Sequence, residues 1–142
     1  MTSATVTFDD AGTWVAASYA YATGRDFARF GLLYLRDGMW EDRRLLPSGW
    51  VDHGRRPRSV DPDDGEFFGS HWWTRDSPHD TFWAAGHEGQ YVDICPDLDL
   101  VLVRMGRTDA DHAEDVKRWR TRVIASFGVG ALDAPNPGSG VS

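Results

Sequence analysis

The stretch Thr81-Phe82-Trp83-Ala84-Ala85-Gly86-His87-Glu88-Gly89-Gln90-Tyr91-Val92-Asp93-Ile94-Cys95 places a glycine-bounded pentapeptide, Gly86 to Gln90, between two apolar runs. Short runs rich in aromatic and β-branched residues, broken by glycine, read as strands on either side of a turn. His87 therefore sits where one strand ends and the next begins. A glycine on each side lets the backbone bend sharply and lets a ligand approach main chain that a Cβ would obstruct. That is the geometry of a site rather than of a packing element.

Working outward, Pro96-Asp97-Leu98-Asp99 separates Gln90–Cys95 from a further apolar run, Leu100 to Met105. Proline preset for the second turn position makes these two runs an antiparallel hairpin. Phe67 to Thr74 and Thr81 to Gly86 supply two strands upstream, and the polar, Pro-rich segment from Arg55 to Glu66 reads as a surface loop. Asp111 to Phe127 is an amphipathic helix whose stripe is Val116, Trp119, Val123, Ile124 and Phe127. Its acids (Asp111, Glu114, Asp115) precede its bases (Lys117, Arg118, Arg120, Arg122), in agreement with the helix dipole.

Toward the N-terminus, Thr23-Gly24-Arg25-Asp26 is a capping signal for a helix running to Asp37, with Gly38 as its stop. At about 100° per residue, Arg25, Arg29 and Arg36 form one narrow stripe, most simply a solvated face, and the apolar remainder predicts a largely buried helix. Met39 to Leu46 reads as a short loop or hairpin, and Pro47 as the first residue of a brief helix through Val51 and Asp52. One folded unit is expected over 1–127, with the Gly/Pro/Ser-rich residues 128–142 as a disordered tail. No internal repeat is present.

A chain of 142 residues with 41% apolar content and seven tryptophans has enough apolar surface for a real core. Its net charge of −7 offers no basic footprint for nucleic acid or for an anionic membrane, and neither partner is expected. Met1 to Asp10 has neither a basic n-region nor an apolar h-region, which as written predicts a cytoplasmic protein. Cys95 is the single cysteine, in an apolar strand where inert packing is the expectation. His53, His71, His79 and His112 have no helical His-x-x-x-His spacing, so no metal is expected, and nothing in the sequence calls for a cofactor. No serine has glycine at both −2 and +2, which excludes a nucleophile elbow within these residues. The Trp72-Trp73 and Trp83 cluster reads as core or pocket wall.

The string Tyr21-Ala22-Thr23-Gly24-Arg25-Asp26-Phe27-Ala28-Arg29-Phe30-Gly31-Leu32-Leu33-Tyr34-Leu35, then Asp37-Gly38-x-Trp40 and Leu45-Leu46-Pro47-x-Gly49-Trp50-Val51, resembles the class C β-lactamase-like family. Within it the likeness is to the 6-aminohexanoate-dimer hydrolase and esterase type, from Gly12 to Thr108 and into the closing helix. The resemblance implies an α+β fold: the C-terminal portion of the β-lactamase/transpeptidase-like fold, an antiparallel sheet with a packed C-terminal helix and a buried preceding helix. In that family a serine attacks an amide or ester carbonyl, a lysine and a tyrosine move its proton, and water hydrolyses the acyl-enzyme.

Carried over by position, the resemblance implies that His87-Glu88-Gly89 stands in for the Lys-Thr-Gly triplet lining the site on the edge strand. These residues would contact a small-molecule amide or ester substrate, and Gln90 would offer its backbone N–H as one of two oxyanion donors. Lys117 is the only lysine, with Glu at 114, and Asn136 the only asparagine, with Ala at 134. The family's Ser-x-x-Lys and Tyr-x-Asn motifs are therefore not among these residues.

Two readings follow. One is a C-terminal hydrolase fragment, an incomplete β-lactamase-like domain inactive alone; the other is a non-catalytic binding module that keeps the pocket wall. The missing N-terminal strand of the first reading would leave Leu100 to Met105 unpaired and the sheet's second face uncovered. Self-association through that sheet edge is the expectation.

Overall fold

The computed structural model describes residues 1–16 and 18–130. Strands β1 (Thr5–Val6) and β2 (Ala20–Tyr21) form an antiparallel ribbon, extended by a bridge between Phe8 and Trp14. Helix α1 (Gly24–Leu35) follows, with the Thr23 hydroxyl accepting the Asp26 backbone N–H at 3.3 Å as the cap motif predicts. The helix stops at Leu35, two residues earlier than expected. Asp37, at φ 47°, takes the left-handed position, while the N–H groups of Asp37 and Gly38 donate to the carbonyls of Tyr34 and Leu33. Strands β3 (Met39–Trp40) and β4 (Arg43–Arg44) make the short hairpin, and α2 spans Trp50–Arg55. Pro47 lies outside α2 and begins instead the turn before it, its carbonyl accepting the Trp50 N–H at 3.1 Å.

The main sheet is a six-stranded antiparallel meander: β5 (Ser59–Val60), β6 (Phe67–Phe68), β7 (Trp73–Thr74), β8 (Phe82–Gly86), β9 (Gln90–Cys95) and β10 (Leu100–Arg104). Two expectations are corrected here. Ser59 and Val60, inside the expected surface loop, pair with Phe68 and Phe67 as an edge strand. The single strand expected over Phe67–Thr74 is a hairpin: the Gly69 N–H donates to the Trp72 carbonyl, and His71 takes φ 70° in the turn between them. Histidine is among the side chains that tolerate this backbone region. The hairpin between β9 and β10 is as expected, through a 3₁₀ turn at Pro96–Leu98.

Side chains alternate across this sheet. Phe82, Val92, Ile94, Val101 and Val103 face α1, where Phe27, Phe30, Tyr34 and Leu35 meet them, with Trp72 tilted against Tyr34 and edge-on to Phe82. Phe82 and Ile94 are fully buried, each stabilising by about 1.5–3 kcal/mol. Gly31 lets the helix approach the sheet, since a Cβ there would stand 2.5 Å from a Val101 methyl. Only Asp26 and Gly31 of α1 are fully buried; the rest of the helix is largely half-exposed, a correction to the largely buried helix expected.

On the opposite face lies α3 (Ala113–Gly130), entered through a 3₁₀ turn at Ala110–His112. Its inward residues are Val116, Arg120 and Ile124, whereas Trp119 and Phe127 of the predicted stripe are 45% and 54% exposed. The sheet's second face is thus occupied by α3 at Trp83, Asp93 and Cys95, each 1% exposed, and is not left bare as the fragment reading anticipated. The helix continues through 128–130, inside the expected tail; residues 131–142 lie outside those described. No helix among the described residues is long and apolar enough to cross a membrane.

Candidate active site

The β8–β9 hairpin closes on the Gly86–Gln90 pair, leaving His87, Glu88 and Gly89 as its turn. Glu88 at φ 57° and Gly89 at φ 87° carry the left-handed backbone that reverses the chain. His87, Glu88 and Gly89 thus form the turn that their flanking glycines predict, and the strand residues beside it are Ala84, Ala85 and Gly86.

This turn is held firmly from one side. The Arg104 guanidinium donates to the carbonyls of Gly89 (2.5 Å) and Gly106 (2.9 Å) and to the Thr108 hydroxyl (2.5 Å). The Gln90 side chain pairs both ways with Gly106, donating to its carbonyl and accepting its N–H at 2.9 Å each, and the Thr108 N–H donates to the Glu88 carbonyl at 2.9 Å. Gln90 lies in β9, whose in-plane amides face β8 on one side and β10 with its Gly106 extension on the other. Its backbone N–H therefore lies in the sheet plane, directed toward β8 or toward the β10 extension, and does not reach the open edge of β8.

The other side is open. Of the β8 residues, β7 pairs only with Phe82 and Trp83, so Ala84, Ala85 and Gly86 are laddered on the β9 side alone. Extending the register sets the Ser70-His71 turn level with this bare edge. His87 stands at its end, 91% exposed, with Nε2 3.8 Å from a Glu88 oxygen; Arg107 Nε approaches that same oxygen at 3.3 Å. Sequence reasoning named the turn but missed the open edge and the Arg104 clasp. The pair Gly89-x(16)-Gly106 around a strand ending in arginine was the available signal.

Two open clefts lie on the α3 side, and neither includes residues 84–90. One, of about 550 Å³, is lined by an ion-pair network in which Lys117 meets Asp64, Glu66 and Glu114, while Arg75 meets Glu66 at 3.7 Å. Burial pushes the Glu66 carboxyl above its ordinary range, and Lys117 opposes that shift. Burial likewise pushes the Cys95 thiol up to about 11, which keeps it an inert packing group.

No family model matches the chain. Over 111 residues, 72% of the chain, it is 30% identical to the 6-aminohexanoate-dimer hydrolase of Paenarthrobacter ureafaciens. The chain is homologous to part of a 6-aminohexanoate-dimer hydrolase. A solved chain from Bacillus anthracis, a proposed 6-aminohexanoate-dimer hydrolase, superposes on 91% of it with a TM-score of 0.74 at 22% identity. That second likeness establishes the fold, an antiparallel sheet with packed helices. The chain spans 28% of the length of the Paenarthrobacter hydrolase and 34% of the Bacillus chain.

Proposed function

We propose that these residues form the sheet-side wall of a serine hydrolase that cleaves amide or ester bonds of a small molecule through an acyl-enzyme. The observation that carries the reading is the bare edge of β8 at Ala84–Gly86, bounded by a clamped turn. An extended amide or ester laid along that edge meets backbone donors and acceptors already aligned for strand pairing. One such N–H, aimed at the scissile carbonyl oxygen, stabilises the developing oxyanion, a contribution typically worth 10²–10³ in rate.

In this reading His87, Glu88 and Gly89 contact the substrate from the turn. Gln90 holds the turn through Gly106, and an outward-facing N–H on the open β8 edge between Ala84 and His87 takes the oxyanion role that the resemblance assigns to Gln90. An imidazole ring and a carboxylate in place of a fixed cation and a hydroxyl make the turn a poor match for a β-lactam carboxylate. The nucleophilic serine with its lysine, and the tyrosine that shares the proton transfer, come from sequence outside these 142 residues, so the chain alone is inactive. The 28% coverage of the hydrolase relative supports that division.

The test is labelling by a serine-reactive fluorophosphonate, with turnover of a chromogenic ester and of nitrocefin measured alongside. The isolated chain takes up no stoichiometric label and turns over neither substrate. Stoichiometric labelling of one of its own serines overturns the reading.

A further inference from the structure

The ribbon of β1 and β2 stands off the body of the chain. Every residue from Met1 to Trp14 is exposed, and the ribbon is tied down at its base, where the Thr2 and Ser3 N–H groups and the Ser3 hydroxyl donate to Asp26. A two-stranded ribbon with nothing packed against it is marginally stable in water. This one nevertheless turns large apolar groups outward: Val6, Phe8, Trp14, Tyr19 and Tyr21 are each between 40% and 58% exposed. Phe8 and Trp14 lie directly opposite one another, and Val6 precedes Phe8 by two residues, so strand alternation sets all three on one face. An exposed apolar face rimmed by charge marks a protein contact.

The charges differ between the two ends of the ribbon. At the tip, Asp9 accepts the Ala11 and Thr13 N–H groups at 3.0 and 2.7 Å, which fixes the turn. The exposed Asp10 beside it makes no side-chain hydrogen bond or ion pair among the described residues. At the base, where β2 runs into α1, the exposed Arg25 is likewise unpaired among the described residues, whereas Arg29 is held by Asp26. From Thr5 to Asp9 the ribbon is about 13 Å long. It is acidic at one end, basic at the other and apolar between.

We propose that this face binds the same face of a second copy of the chain, the two ribbons lying antiparallel about a two-fold axis. That arrangement lays Phe8 and Trp14 of one ribbon on those of the other, and it sets each Asp10 against the partner's Arg25. A parallel overlay would set acid on acid and base on base. A copy of the ribbon turned end for end satisfies both ends at once, the self-complementarity that a two-fold contact requires. The apolar area is that of a transient interface rather than an obligate one, which puts the dissociation constant in the micromolar range. No step of the hydrolase reading enters this inference.

Sedimentation equilibrium of the 142-residue chain tests it. The expected result is a monomer–dimer equilibrium that reaches twice the 15.9 kDa chain mass as concentration rises through the micromolar range. Trp14→Ser should weaken the dimer by about tenfold or more, the scale of losing an aromatic anchor. Asp10→Lys and Arg25→Glu should each weaken it by about tenfold, since two-fold symmetry makes every substitution count twice, and together they should restore it to within about twofold. Such a restoration is a result that a misfolded ribbon does not give. Leu102→Lys, on the β10 edge, should remove only association beyond the dimer. A monomer at every concentration overturns the proposal and leaves the face to another occupant, such as the nucleophile-bearing part of the hydrolase. A dimer indifferent to Trp14→Ser, a dimer abolished by Leu102→Lys, or charge reversals that fail to rescue each other also overturns it. The hydrolase reading is tested by serine labelling and stands or falls separately.

Discussion

Arg120 of α3 and Asp93 of β9 meet face to face beneath the helix, each side chain 1% exposed. Arg120 Nε donates to both Asp93 oxygens, at 2.9 and 3.2 Å, and its Nη2 adds a further contact. The guanidinium lies 3.7 Å from the centre of the Tyr91 ring and 5.2 Å from that of Trp83. A buried pair of this kind contributes little net stability against an apolar replacement, but removing one partner strands a charge.

Arg120→Met should therefore cost about 3–5 kcal/mol in urea unfolding at neutral pH. Burial already raises the Asp93 carboxyl above its ordinary value, with Arg120 opposing. Without Arg120 the shift grows, and a carboxyl whose folded pKa exceeds its unfolded one binds more protons in the folded state. The deficit should shrink as pH falls from 7 toward the ordinary carboxylate range. A deficit below about 1 kcal/mol, or one that widens on acidification, contradicts this account.

Asp26 titrates in the opposite sense. The Ser3 hydroxyl and backbone N–H, Arg29 and the Thr2 N–H all donate to its carboxylate, and Ser3 leads in holding its pKa well below the ordinary value. Stability from a depressed carboxyl is present above the unfolded value and lost as pH falls through the folded one. Protection of the Thr2 and Ser3 amides relative to their intrinsic exchange rates should be present at neutral pH, fall in strong acid as Asp26 is protonated, and be reduced at every pH in Asp26→Asn. Unchanged protection in that variant would show that the N-terminal segment is held otherwise.

Gly31→Ala should destabilise by about 1–3 kcal/mol, the usual cost of overpacking, because the new methyl meets Val101 at 2.5 Å and Val92 at 3.2 Å. Val101→Ala in the same chain should recover part of that loss. Thermal melts of the single and double variants decide it, and additive losses would place the strain elsewhere.

His87 and Gly89 should separate recognition from architecture. His87→Ala, at a nearly fully exposed position, should leave the melting temperature unchanged, and in a complete hydrolase should lower kcat/KM by about 10–10³-fold. Gly89→Ala meets both the left-handed backbone at φ 87° and the Arg104 guanidinium at 2.8 Å, so it should lower stability. A His87→Ala variant that melts early but keeps its activity would make the histidine a packing residue.

Strand β10 ends the sheet, paired with β9 alone among the described residues, and its five residues are all half-exposed. Light scattering after size exclusion should show association that grows with concentration, reduced by Leu102→Lys. A sharp 15.9 kDa monomer at every concentration would contradict it.

The parts legible in the sequence were those where local chemistry and tertiary context agree. Thr23 caps α1, and Pro96 starts the turn between β9 and β10, because each needs only neighbours within a few residues. The Phe67–Thr74 hairpin was hidden because its turn places histidine, not glycine, at positive φ. The inward face of α3 was misread because Arg120 is apolar-stripe in position and charged in kind; its partner, a lone Asp93 in an otherwise apolar strand, was the cue. In the site, the turn was visible from its glycines. The bare β8 edge depends on where β7 stops, which no short window of sequence records.

The order of strands in the main sheet has a kinetic consequence. From β5 to β10 every strand pairs with its neighbour in sequence, so no long loop must close before the sheet forms. Chain segments joined by such short-range contacts assemble quickly, each hairpin templating the next. The slow, long-range event is the docking of α1 onto β9 and β10, some sixty residues away along the chain. During synthesis on the ribosome, α1 emerges first and must wait, its apolar side unpaired, until the strands that cover it have been made.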